Sequence, residues 1–356
     1  YMGSNAIVFP ILAIEEPEAH LHPSMQYKFL KFLKKNRKER KVRQIFVTTH
    51  STHIASAVTL DEIICLQNND GVTFAGYPGK SFEEDSSSKK YVQRFLDATK
   101  SDMLFANKII LVEGIAEQLL IPILANYVDK FLEDHHIAVI NIGGRYFDHF
   151  LKLFDQSSEF AIPKNVACIS DRDPVRRKKS GGKFTSCFPF EWKLDTENYE
   201  YKNNSELLIE RNNEGSSIMF FAPEDHYSKT FEYDLILNNP RTELFLTESI
   251  QNREELTDLM KLHREGRNFQ DLIARLREGA LKEKIETDLI KQEAFDNSAK
   301  CDAIIAARYL SSIGKGENAL ELSSNLKHNL TNKTNDEFVE IKVPKYVKDA
   351  IEWICR

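Results

Sequence analysis

Apolar positions along the chain gather in short unbroken runs that stop abruptly at acidic or polar residues. "IVFPILAI" (7–14) runs straight into Glu15 and Glu16, and "RQIFVTTHS" (43–51) ends in Thr, His and Ser. Runs of this kind predict buried parallel strands, because a strand covered on both faces has no polar side. Between them Pro23 opens a helical pattern through Arg40, with Met25, Phe29, Phe32 and Leu33 on one face and basic residues opposite. "EIICLQNNDGVTFAG" predicts a hairpin turning at Asn69-Asp70-Gly71.

The polar, Ser-rich "SFEEDSSSKK" (81–90) predicts a linker or loop. Beyond it "KIILVEG" predicts a strand, 115–132 a helix, "HIAVINIGG" a strand, 146–154 a helix and "NVACISDRD" a strand. This alternation predicts a parallel sheet whose ligand-binding residues gather at the carboxyl ends of the strands. Residues 174–215 are polar and irregular, as in an insertion. "SSIMFFAPEDHYSKTFEYDLI" predicts one more strand and a helix start, and 241–310 is helical and charged. The organisation expected is α/β throughout: a first unit over 1–80, a linker over 81–105, a parallel-sheet domain over 106–240 and a helical region over 241–356.

Composition narrows the function. A chain of 356 residues has room for about two domains, and a net charge of −6 confines any nucleic-acid contact to local patches. The five cysteines are scattered without CxxC spacing, which disfavours a zinc knuckle or a disulfide framework and points to a reducing cytoplasm. No apolar run approaches the roughly 20 residues of a membrane span, so no membrane role is expected.

The strand ends carry the chemistry. Glu113, at a strand end, and Glu117, in the first turn of the next helix, direct two carboxylates to one spot, and Gly114 permits the tight turn between them. Asp171 and Asp173 in "CISDRDP" sit two residues apart at another strand end and so on one side of the chain. Four carboxylates at one sheet edge repel one another, and an all-oxygen set selects Mg²⁺, Mn²⁺ or Ca²⁺. His20 and His22 in "HLHP" precede a helix at a turn and are read as structural.

The strand followed by "EEPE", with "IFVTTHS" after it, resembles the Walker B, D-loop and switch-histidine region of ABC-type ATPases. The resemblance implies that Glu15 helps hold Mg²⁺ through water, Glu16 positions the attacking water and His50 contacts the γ-phosphate of ATP. A P-loop requires GxxxxGK[ST], which neither "GYPGKS" nor "SGGKFTS" satisfies. The expectation is therefore the C-terminal part of an ATPase head, inactive on ATP without an upstream phosphate loop.

The order strand, glutamate, helix, strand, Gly-Gly, helix, strand, DxD over 108–174 resembles the TOPRIM fold of topoisomerases, primases and certain nucleases. An ABC-type head followed by TOPRIM resembles the OLD (overcoming lysogenisation defect) nucleases, which include the nuclease subunit of Gabija anti-phage systems. That resemblance implies a DNA endonuclease using two Mg²⁺ or Mn²⁺ ions and coupled to an ATPase dimer, with a possible defence-system partner protein. It implies metal ligation by Glu113, Glu117, Asp171, Asp173, Glu232 and Asp234, the last two from "KTFEYDL". It assigns catalytic roles to Glu113 and to Lys315 of "GKGENA", the lysine stabilising the scissile phosphate. The role of Arg172, between the two aspartates, is left open.

Arg176, Arg177, Lys178 and Lys179 follow the DxD directly and are expected to grip the DNA backbone. The basic helix from Lys28 to Arg43 is read as a solvated face. Two other functions remain: an ATP-gated DNA-binding scaffold with a passive metal site, and a TOPRIM primase or topoisomerase.

Overall fold

The computed structural model describes residues 9–69, 71–82, 85–96, 100–334 and 336–356, without the side chains of Asn69 and Lys315. The hairpin position Asp70 and the start of the first expected strand lie outside the described residues. The chain divides into two compact units: Tyr1–Asn107 with Asp148–Lys164, and Lys108–Phe147 with Asn165–Arg356.

In the first unit, β1 (Ile11–Glu15) and β2 (Gln44–Thr48) pair in parallel, with Glu15 opposite Thr48. The helix Pro23–Lys38 between them is capped by His22, whose Nδ1 accepts from the Ser24 N–H, and buries Leu30 and Leu33. This gives His22 the structural role expected of it. β3 (Cys65–Asn69) and β4 (Val72–Gly76) form the antiparallel hairpin. Contrary to expectation, β1 and β2 are not buried: Ile11 is 58% and Phe46 49% exposed, in a pair of strands with no third neighbour among the described residues. The apolar run specifies a face that can be covered, while covering it requires other elements.

The expected linker is also ordered in large part. Ser86–Phe95 is a helix because Asp85 caps it, its Oδ1 accepting from the Ser88 N–H at 3.0 Å, and because Val92 is buried at helical spacing. Capping and one apolar face outweigh the low helix propensity of the serines. Residues 148–164 complete this unit. Lys152 pairs with Asp85 at 2.6 Å, and the Ser88 hydroxyl lies 2.8 Å from His149 Nδ1. Lys164 is buried, and its ammonium donates to the carbonyls of Met103, Leu104 and Ala106.

The second unit is built on a four-stranded, wholly parallel sheet in the order β11-β7-β5-β6, where β5 is Lys108–Val112, β6 Ile137–Asn141, β7 Val166–Ile169 and β11 Ile218–Phe221. The central strands β5 and β7 have the continuous burial that parallel sheets impose. Helices 115–127, 231–237, 253–264, 297–310, 315–331 and 345–354 contribute to a single hydrophobic core with the sheet. Residues 174–215, expected to be irregular, instead contain β8 (Val175–Lys178), β9 (Thr185–Ser186) and β10 (Tyr199–Lys202) in an antiparallel sheet ordered β10-β8-β9. Pairing across more than twenty residues rescues strands whose polar sequence carries little periodicity.

Candidate active site

The register of the central strands assembles the site. Val112 lies opposite Ile169, so Glu113 emerges level with Ser170. The Ser170 hydroxyl donates to Glu113 Oε1, and the Asp171 N–H approaches the same oxygen at 3.4 Å. The backbone then turns left-handed at Asp173 (φ 42°), where its N–H donates to the Lys229 carbonyl at 2.9 Å. Asp is among the few residues that tolerate this conformation. The turn draws in the segment before helix Phe231–Leu237, and the Phe231 N–H donates to Asp171 Oδ1 at 2.8 Å. Glu232, the next residue, thereby joins the group.

Gly114 caps helix Ile115–Tyr127 and leaves room for a carboxylate: a Cβ there would sit 2.8 Å from Glu117 Oε2. Glu117, Asp171 and Glu232 are all buried. Burial, followed by the charges of Glu117, Glu232, Asp173 and Glu113, pushes the Asp171 carboxyl well above its usual range. Burial also raises Glu113, against the lowering effect of the Ser170 hydrogen bond. These acids feel one another, and crowded carboxylates removed from water, with Arg145 as a nearby cation, meet the electrostatic condition for attracting a metal ion. Among the described residues, however, no group of three or more His, Cys, Asp or Glu side chains is closed around a point where an ion would sit. The donor chemistry and the cradle at Gly114 fit a hard divalent cation; the side chains are arranged as hydrogen-bonded acids.

A second strand-end cluster occupies the first unit. Glu16 also has a left-handed backbone (φ 39°), and its Oε1 lies 3.2 Å from His50 Nε2. Glu18 Oε1 accepts from the Thr49 hydroxyl at 2.7 Å and the His50 N–H at 2.6 Å. Burial raises the Glu18 pKa, but these bonds outweigh it and hold the carboxyl below its usual value. Glu15 ends β1 beside Thr48.

Two family models match segments of the chain. Residues 9–55 match the family model described as AAA ATPase domain, and residues 104–173 match the one described as overcoming lysogenization defect protein-like, TOPRIM domain. An ATPase segment followed by a TOPRIM segment is similar to the arrangement of the OLD family. Endonuclease GajA of Bacillus cereus strain HuB5-5 is 26% identical over 266 residues, which is 66% of this chain and 38% of that protein. Endonuclease GajA of strain VD045 is 28% identical over 141 residues, 40% of this chain and 23% of that protein. The matched part of the chain thus spans well under half the length of either relative. Among solved structures, the C-terminal region of the Burkholderia pseudomallei OLD protein aligns at 20% identity and a TM-score of 0.36, covering 70% of this chain and 97% of that one.

Of the remaining expected residues, Asp234, Arg176 and Arg177 are engaged in other contacts. Asp234 is fully buried inside helix Phe231–Leu237, and its Oδ1 accepts from the Lys229 N–H at 2.9 Å, so the structure gives it a backbone-capping role. It is not among the principal charges acting on Asp171. Lys315 opens helix Lys315–Thr331, and its side chain lies outside the described residues. Arg176 pairs with the buried Glu191 at 2.7 Å and stacks on Tyr199, while Arg177 pairs with Glu200 and covers Phe184. Both therefore brace the β8 sheet, and of the four basic residues only Lys178 and Lys179 are exposed. Arg172 is buried against Trp192 and donates to the His226 carbonyl at 3.1 Å.

Three contributors went unrecognised in the sequence. Ser170 and Lys229 act through hydrogen bonds that no local pattern announces. Arg145, half exposed with Nη2 3.9 Å from Asp173 Oδ2, follows the Gly143-Gly144 turn after β6, and that turn was the available signal.

Proposed function

We propose that this chain carries the nuclease site of a DNA endonuclease that hydrolyses phosphodiester bonds with Mg²⁺ or Mn²⁺. The observation supporting this reading is the convergence of Glu113, Glu117, Asp171, Asp173 and Glu232 at the ends of β5 and β7. The two similar proteins, both endonuclease GajA, favour the same chemistry. Divalent cations bound there supply charge to polarise the phosphodiester and activate water.

The protein groups have separable tasks. Ser170 and the Phe231 N–H each fix one oxygen of Glu113 and Asp171, so the carboxylates are oriented before substrate arrives. Glu113, with a raised pKa, is suited to holding a transferred proton at its free oxygen. Arg145 and Lys315 are the cations proposed to face the phosphate, with Lys178 and Lys179 gripping the backbone. Glu15, Glu16 and His50 are proposed as part of an ATP site in a regulatory head that dimerises, in a cytoplasmic protein acting in anti-phage defence or DNA processing.

The competing reading is a DNA-binding scaffold whose acidic site holds metal without cleaving DNA. Nicking of supercoiled plasmid with Mg²⁺, Mn²⁺ or EDTA separates the readings. Cleavage that requires metal and vanishes in Asp171→Ala supports the nuclease, and metal-dependent DNA binding without cleavage supports the scaffold.

A further inference from the structure

The last helix, Lys345–Ile354, packs against β5, β7, β11 and helix Ile115–Tyr127, the elements that deliver Glu113, Asp171 and Glu117. Its entry is fastened beside the segment carrying Glu232. The side chain of Asn239, just after helix Phe231–Leu237, donates to the Lys342 carbonyl and accepts from the Lys342 N–H, both at 2.8 Å. Lys108 holds the other end, its ammonium donating to the Ile354 carbonyl at 2.9 Å.

This two-ended clamp buries Tyr346, in the first turn, to 7% exposure. Its hydroxyl is enclosed and has no hydrogen-bond partner among the described residues. A buried phenol without a partner is costly, and a neutral phenol in a negative field acts as a donor. Burial and then the charges of Asp234, Asp171, Glu117 and Glu232 set that field and raise the tyrosine well above its usual pKa. Three of these four acids belong to the candidate site.

We propose that Tyr346, enclosed where the last helix packs on the elements that carry Glu113, Glu117 and Asp171, is a positioning residue of the acidic site, its hydroxyl donating to Glu117, Asp171 or Glu232 as the group rearranges around a cation. The assignment rests on the reading of that group as a divalent-cation site. It explains why an otherwise apolar face of the last helix carries a tyrosine at this position. Phenylalanine there packs equally well and lacks only the donor.

The test is Mn²⁺ binding by the full chain, followed by calorimetry and by the electron paramagnetic resonance of free Mn²⁺, in the native protein, Tyr346→Phe and Asp171→Asn. Thermal unfolding in EDTA is measured in parallel. Tyr346→Phe is expected to weaken Mn²⁺ binding about tenfold while its unfolding midpoint in EDTA stays level or rises, because an unpaired buried hydroxyl has been removed. Unchanged Mn²⁺ affinity overturns the proposal. So does a lower midpoint in EDTA with Mn²⁺ affinity retained, which would assign the hydroxyl to Asp234 alone. If the native chain shows no Mn²⁺ binding that Asp171→Asn weakens, the cation-site reading itself falls, an outcome distinct from failure of the tyrosine assignment.

Discussion

The two strand-end clusters share a backbone device and differ in burial. Each places an acidic residue in the left-handed region after a parallel strand, Glu16 at φ 39° and Asp173 at φ 42°. In the first unit the strands form a pair, and Glu16 and His50 meet in solvent, with side chains 51% and 84% exposed. In the second unit, four strands and the surrounding helices enclose Asp171 and Glu117. The contrast shows that strand-end acids become a strongly perturbed group only where the surrounding layers remove water, since screening leaves an exposed pair weakly coupled.

Several measurements break or sharpen that contrast. The largest effect is expected for Asp171→Asn, which should lower metal-dependent DNA cleavage by a factor of about 100 or more in a plasmid-nicking assay. Glu16→Gln, measured in the same assay without ATP, should leave cleavage near the native rate. Equal losses in both variants would mean that the clusters act as one site.

Core truncation comes next. Leu111→Ala, at a fully buried β5 position, should destabilise the second unit by about 2–5 kcal/mol in denaturant unfolding. Ile11→Ser on the open face of β1 should change stability by less than about 0.5 kcal/mol. A comparable cost at both positions would show that β1 is covered in solution.

The acids also predict an opposite response to pH. Asp171 and Glu113 have raised pKa values in the folded state. Their stabilising contribution is therefore complete below the unfolded carboxylate values of roughly 4 and is lost as pH rises through the higher folded values. Glu18, held below its usual value, contributes stability above the unfolded pKa and loses it as pH falls through the folded one. Unfolding in EDTA across this range should show the second unit weakening as pH rises from about 4, and Mn²⁺ should remove the loss. A second unit that gains stability over the same rise would contradict the raised folded-state values of these acids.

A smaller effect is expected for Gly114→Ala. The added methyl displaces only the flexible end of Glu117, so stability should fall by less than about 1 kcal/mol. Mn²⁺ affinity, measured by titration, should weaken several-fold. Unchanged affinity would remove Glu117 from the cation site.

Much of this arrangement was legible in local patterns. The runs ending at Glu15, Glu113 and Asp171 marked strand ends, and Gly114 marked the turn that seats Glu117. The strands in residues 174–215 were not legible, since β8 carries Val-Arg-Arg-Lys with no alternation and is held by its partners. Nor was the bracing role of Arg176, whose partner Glu191 is distant in sequence and fully buried.

The sequence alone determined which residues end strands, where helices begin and which side chains carry acid chemistry, because caps, turns and apolar periodicity act over a few residues. Tertiary structure decided which acids meet, which of them caps a backbone and which stays in water. It brought Phe231 to Asp171, turned Asp234 back to Lys229 and enclosed the Tyr346 hydroxyl. Those outcomes depend on strand order and on burial, and both are properties of segments far apart in the chain that no local pattern encodes.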